Sequence, residues 1–347
     1  MAGECKFKTI VLEVTETCNH GCLHCYRRWP LSPHQGRRSE LSRAEIRDLV
    51  RKVKSESPLE QVALSGGEPM LRLDLPEIVC DLADEGLATV VITNGSYLTP
   101  QRLSRFPSGS VFEVTLFSPD HERHDRMAGC RSFQRTLEGI ARLRKHEMTF
   151  VLALLVTKEN ACETGRTIEL GIALGAEAVL LNRVNLSRAS IAFASDLVPD
   201  PLTLQRSLDQ AEEAAEKYGI AVAVSVPVPP CLVDPERYSH LHFGWCPRGN
   251  DDAYYTIGPE GWLRPCNHSS VVLGDLREKR FSELVLGRKA QAFWVSIPAQ
   301  CAACDHPLAG LCRGGCPAAS DECYGSPDHP DPFVEISQRM RETTVST

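Results

Sequence analysis

The sequence has 347 residues, 42% hydrophobic and 24% charged, enough apolar material for one large α/β domain and a smaller appendage. A formal net charge of -7 with no block of clustered Lys and Arg excludes a general attraction to phosphate backbones, so no nucleic acid is expected as a partner. No stretch reaches the roughly 18 apolar residues of a membrane helix and the start lacks a secretory pattern, so a cytoplasmic protein with no membrane partner is expected.

In chain order, β-branched runs alternate with amphipathic stretches. Strands are predicted at 9–15, 61–65, 88–93, 111–117, 149–157 and 178–182, and helical patterns at 42–55, 74–85, 132–146, 163–174 and 203–218. Strand followed by helix, over and over, predicts a parallel sheet with helices outside it, either doubly wound or a partial barrel. Both architectures put chemistry at the C-terminal ends of the strands. The Pro-rich stretch 222–236 breaks the alternation and marks a boundary. Beyond it, two short strand candidates around Pro259-Glu260-Gly261 predict a hairpin that presents Cys266 at its end. The remainder is loop-rich, and 326–332 with the last residues is expected to be mobile.

Fifteen cysteines, an odd number, argue against a fully paired disulfide framework. Ten fall in two sets, at 18–25 and 246–323, whereas Cys5, Cys80, Cys130, Cys162 and Cys231 are scattered. Cys18, Cys22 and Cys25 directly follow the first strand, so a short loop gathers three thiolates at the catalytic rim. Three is one fewer than the usual set for a cubane cluster, which leaves one iron open to an amino acid's amine and carboxylate. Zinc or three unrelated core cysteines are the alternatives.

The pattern CxxxCxxC after strand one resembles the signature of the radical S-adenosylmethionine (SAM) superfamily. The resemblance implies a [4Fe–4S] cluster on Cys18, Cys22 and Cys25 that reduces the sulfonium of S-adenosyl-L-methionine and releases a 5′-deoxyadenosyl radical. Gly66, Gly67 and Glu68 in SGGEP match the family's Gly-Gly-Glu-Pro motif, with Glu68 expected to pair with the methionine amine. Asn94 closes the third strand in ITNGS, and His24 occupies the aromatic position beside the adenine. Thr115 and Ser118 at the fourth strand, and Asn182 or Arg183 at the sixth, are candidates for the ribose or the carboxylate. Where relatives often read Ser-Leu-Asp-Gly, this chain has Thr-Leu-Phe-Ser at 115–118 and lacks the acidic group.

Taken alone, the second cysteine set also suits a pair of zinc ribbons. Behind a radical SAM domain it resembles the SPASM extension, which carries one or two auxiliary [4Fe–4S] clusters. That resemblance implies Cys301, Cys304, Cys312 and Cys323 on an outer cluster and Cys246, Cys266 and Cys316 on an inner one. The inner set lacks a fourth thiolate, for which Cys231, Asn250, Asp251, His268 or the substrate are candidates. The implied fold is a partial (β/α)6 TIM-like barrel over 8–225, a small C-terminal cysteine-rich iron–sulfur domain over 232–325, and a tail over 326–347.

The implied function is a redox enzyme that abstracts a substrate hydrogen in peptide or protein maturation, served by an electron donor such as flavodoxin or ferredoxin. The alternative substrate is a sugar or nucleoside small molecule undergoing dehydrogenation, epimerisation or decarboxylation in antibiotic biosynthesis. Peptide-modifying relatives frequently carry an N-terminal module of ~80 or more residues, and this chain starts its first strand by residue 9, which weighs toward the small molecule. A zinc-ribbon binding protein on a barrel scaffold is the reading from another class. Asp120, His121, His124, Asp125, Tyr254 and Asp275 are acid–base candidates by chemical type alone.

Overall fold

The computed structural model describes residues 5–27 and 39–345. Eight parallel strands run in sequence order: β1 (Thr9–Glu13), β2 (Gln61–Ser65), β3 (Ala88–Thr93), β4 (Val111–Thr115), β5 (Thr149–Val156), β6 (Ala178–Arg183), β7 (Ala221–Val224) and β8 (Leu241–Phe243). A doubly wound sheet reverses its strand order part-way. From β1 to β8 the order here never reverses, which decides for the barrel-like alternative, left open between its edges. The hairpin of β9 (Tyr255–Ile257) and β10 (Trp262–Arg264), with β11 (Gly274–Asp275) beyond it, joins the same sheet through a parallel β1–β9 pairing. The cysteine-rich unit is therefore fastened to the very strand that leads into Cys18.

Alternation along the strands decides which side is covered. Val62, Leu64, Val91, Phe112, Val114, Phe150, Leu152, Val179 and Leu181 lie on the outer face and are buried under the helices. Their neighbours Ala63, Val90, Ile92, Val111, Glu113, Val151 and Leu180 point inward and stay partly accessible, so the inner face borders a lumen. The helices form where the sequence predicts them: Arg43–Glu56 opens with a capping box between Ser42 and Glu45, and Pro201–Tyr218 is capped by Asp200 and ends at Gly219 with φ +63°.

Two expectations change. The Pro-rich stretch still contributes β7, and β8 follows it, because Val222, Val224 and Leu241 are apolar enough to continue the outer face. The stretch 326–332 is anchored at its end: Asp331 and Phe333 are fully buried, and the chain continues as the helix Pro332–Val345. Asp331 forms a buried ion pair with Arg183 of β6, whose guanidinium also lies 4.5 Å above the Phe333 ring.

Candidate functional site

Past Glu13 the chain leaves the sheet and becomes the loop that carries the first thiols. The segment after β2 holds it in place. Gly67 and Glu68 donate their backbone N–H groups to the carbonyls of Thr15 and Thr17, each at 2.8 Å. A Cβ on Gly67 would stand 2.2 Å from the Thr17 oxygen, and one on Gly66, at φ +141°, would stand 2.5 Å from the Thr15 oxygen. The glycine pair thus admits the backbone of the cysteine loop itself, where the sequence suggested approach to a ligand.

Glu68 is fixed by groups of the protein itself. Its buried carboxylate accepts from Met70 N at 2.9 Å, Thr93 Oγ1 at 2.7 Å and Asn94 N at 2.8 Å. Burial nevertheless raises its pKa. These bonds tie the ends of β2 and β3 together, and Asn94 passes the constraint to the thiol loop by donating to Asn19 Oδ1 at 2.9 Å. His20 joins Ser96 at 3.1 Å and is held neutral, its pKa lowered by burial to about 4. Sequence reading missed Asn19, His20 and Ser96, which carry no periodicity and no motif of their own.

The three thiols interact. Burial pushes Cys22 up to about 12, and its neighbours Cys25 and Cys18 add to the rise. Burial also raises Cys18, with Cys25 among its charged neighbours. Such thiols deprotonate only when a cation compensates them, which is the donor chemistry that an iron–sulfur cluster requires. Cys22 Sγ lies 3.5 Å from Ala128 O, which also accepts from Gly21 N at 2.9 Å. The helix His121–Ala128 therefore backs the loop, and a Cβ on Gly129 would meet Gly21 at 2.6 Å.

The remaining candidates divide. His24 stands edge-on to Phe117 with ring centroids 4.9 Å apart. Thr115 ends β4 on the inner face, and Ser118 is fully buried, donating to Glu163 at 2.7 Å. Glu163 thereby brings a carboxylate to a strand end where position 117 offers only phenylalanine. Arg183 is turned away from the lumen: it is fully buried on the outer face and bonds Asp331 and the Pro227 and Val184 carbonyls. Asn182 instead accepts from Ser225 and Val226 N. Of the acid–base candidates, Asp120, Asp125 and Asp275 accept backbone N–H groups, and His124, lowered to about 4 by burial, faces Phe117 N through Nδ1 at 3.4 Å. His121 lies 6.5 Å from the Phe133 ring.

In the second cysteine set, Cys246, Cys266 and Cys316 come together. Burial and then the Cys316 thiol push Cys246 up to about 11, and Cys266 is raised by burial, Cys316 and Cys246. Tyr254 is enclosed beside all three. Cys301 has Cys312 and Cys304 as neighbours, and so does Cys231, which burial raises to about 11. Cys231 thus stands with the outer thiols, whereas Cys323 is raised to about 12 first by burial and then by Asp331, Glu322 and Cys316. His268 lies against the Tyr26 ring at 4.4 Å, while Asn250 and Asp251 sit in an outward turn. Among the described residues, no three His, Cys, Asp or Glu side chains converge on a point that would hold a single metal ion.

The two cysteine regions touch through Tyr26 and Arg27, immediately after Cys25. Asn267 Nδ2 donates to the Tyr26 hydroxyl at 3.1 Å, and Arg27 and Arg264 both pair with the buried Glu13.

Comparison with known proteins agrees with this geometry. The family model of the radical SAM superfamily matches residues 12–171. An AdoMet-dependent heme synthase from Methanosarcina barkeri is 36% identical over 307 residues, covering 80% of this chain and 81% of that protein. The chain belongs to the radical SAM superfamily. A PqqA peptide cyclase from Methylocella silvestris is 25% identical to this radical SAM chain, covering 97% of it and 92% of the relative. The structure of SuiB from Streptococcus suis bound to its precursor peptide SuiA superposes with a TM-score of 0.75 at 14% identity, covering 96% of this chain and 76% of that one. AnSMEcpe with bound AdoMet and a peptide gives 0.71 at 15% identity, covering 96% and 95%. These radical SAM structures share the fold, barrel and C-terminal unit together.

Proposed function

We propose that this radical SAM enzyme abstracts a hydrogen from a side chain of a peptide or protein substrate and yields an oxidised or cross-linked product. The observation that carries the radical chemistry is the interacting triad Cys18, Cys22 and Cys25 at the C-terminal end of β1, locked in place by the Gly66-Gly67-Glu68 segment. With its cluster and S-adenosyl-L-methionine bound, this site supplies a 5′-deoxyadenosyl radical. The protein's own part is to hold the loop, exclude water and present one substrate carbon. His24, Asn94, Thr115 and Ser118 lie at or beside the strand ends where that cofactor would be oriented. Residues 8–225 form the radical unit in this reading and 232–325 the cluster-bearing unit.

Auxiliary clusters would be held by Cys246, Cys266 and Cys316, and by Cys301, Cys304 and Cys312 with a further thiol. Tyr26 and Asn267 then place the cluster loop directly against the inner set, a short route for an electron leaving the substrate. Support for a peptide comes from the PqqA peptide cyclase, which aligns over nearly the whole chain, and from the fold shared with SuiB bound to SuiA. The heme synthase relative, at higher identity, favours a second reading in which the substrate is a tetrapyrrole small molecule.

The test is anaerobic purification, iron and sulfide counting, and assay of 5′-deoxyadenosine release with a strong reductant. The expected result is about eight to twelve irons per chain and nucleoside from wild type but not from Cys22→Ala. Zinc without nucleoside would overturn the radical reading. A candidate peptide consumed in step with nucleoside, while a porphyrin is not, separates the two substrates.

A further inference from the structure

Two carboxylates point inward from the parallel strands near the cluster end. Glu13 on β1 is neutralised by two guanidinium groups, those of Arg27 and Arg264. Glu113 on β4 has no hydrogen bond and no ion pair with any described residue. Its cross-strand neighbours are Ile92 on β3 and Val151 on β5, at the same register and on the same face. Next in the row stand Ala178 and Ala221, whose side chains are single methyl groups. On the same face nearby, Val90, Ala153 and Leu155 are apolar and Thr115 and Thr149 carry hydroxyl groups, and none of the five brings a charge to the carboxylate. Solvent reaches Glu113 only in part, and its surroundings are closed enough that burial alone pushes the carboxyl up to about 7. A single carboxyl in a largely apolar row is stabilised as an anion only when something brings a positive charge to it.

Resting on the peptide reading above, we propose that Glu113 is the specificity residue for a cationic group carried by the substrate, the primary ammonium or guanidinium of a lysine or arginine side chain. The lumen wall explains the selectivity. Ile92 and Val151 would line the methylene stem of such a side chain, the alanines add no bulk beside it, and the charged head would meet the carboxylate that no described residue pairs. The same feature disfavours a carboxylate-bearing tetrapyrrole, whose negative groups would be repelled.

The probe is n-butylguanidinium, with the neutral isostere n-butylurea as control, added to the reconstituted enzyme. Infrared difference spectra read the protonated carboxyl of Glu113, identified as the band missing from Glu113→Gln or, should that variant fold poorly, from Glu113→Leu. The guanidinium is expected to lower the titration midpoint by a unit or more, a roughly tenfold preference for the ionised form, and so to cut this band by about half or more at about pH 6. Butylurea should leave it in place. Equal effects of both probes, or none from either, would overturn the proposal independently of the variants. So would loss of the band with S-adenosylmethionine alone, since the cation met by Glu113 would then be the cofactor's. Deoxyadenosine release by the same preparation keeps the outcomes apart: its absence from wild type refutes the radical reading, whereas its presence with indifferent probes refutes only the role of Glu113.

Discussion

Glu13 and Arg264 form a buried ion pair that joins the last residue of β1 to the last residue of β10, and Arg27 of the cysteine loop completes it from the other side. One carboxylate thus fastens the radical loop and the C-terminal unit to each other. Replacing Glu13 by Ala leaves two enclosed guanidinium groups facing each other without their anion, and removing one partner of a buried pair costs about 3–5 kcal/mol. Urea denaturation should show that loss for Glu13→Ala. Arg264→Ala, which leaves Arg27 to neutralise Glu13, should lose less.

Gly67→Ala pushes a methyl group to within 2.2 Å of the Thr17 carbonyl, a backbone atom that can yield only by moving the loop that follows it. The expected outcome is selective: about four irons per chain are lost from the first site, while absorption from the C-terminal cysteines persists. Iron counting beside Cys22→Ala checks this, and equal loss from all sites would mean that the glycine supports the fold generally.

His124 and Glu113 should tilt the stability profile in opposite directions. The folded-state pKa of His124 is lowered to about 4, below its unfolded value near 6.5, so the unfolded chain takes up the proton first. Its contribution is complete above about pH 6.5 and declines toward pH 4 by at most about 1.4 kcal/mol per unit. Glu113 is raised to about 7 from 4.5, so the folded state is favoured below 4.5 and loses that advantage as pH rises to 7. Glu113→Gln should therefore stabilise the protein at neutral pH by on the order of 1–3 kcal/mol and leave it little changed at about pH 4.5, as thermal unfolding across this range would show.

Asp331→Asn strands the Arg183 guanidinium inside the protein and should cost about 3–5 kcal/mol. The pair Arg183→Met with Asp331→Leu should recover most of this loss, because an apolar replacement of a buried ion pair is often neutral or better. A double variant as unstable as Asp331→Asn would show that the hydrogen bonds to Pro227 and Cys316, rather than the charges, carry the contact.

Much of this was legible in the sequence because it is local. β2 and β3 are alternating runs bounded by turn residues, and the structure places them at 61–65 and 88–93 as read. The cysteine loop and the glycine pair were legible because chemistry fixes their spacing. What escaped the reading depends on distant partners. The donors that fix Glu68 come partly from the next strand, which the Gly-Gly-Glu-Pro motif alone does not announce. Arg183 looked like a strand-end polar residue, and nothing near it in sequence announces Asp331. The cross-strand solitude of Glu113 is a property of register, and VFEVT shows only an alternating strand with one acid on its partly accessible face.

The Arg183–Asp331 contact also sets an order of events during synthesis. The two residues are 148 positions apart, so at about 5–20 residues per second the ribosome delivers the aspartate roughly seven to thirty seconds after the arginine. Throughout that interval β6 cannot bury its last residue without stranding a charge. The outer face of β6 is thereby completed only after the cysteines of the second unit, all of which precede Asp331, have been synthesised.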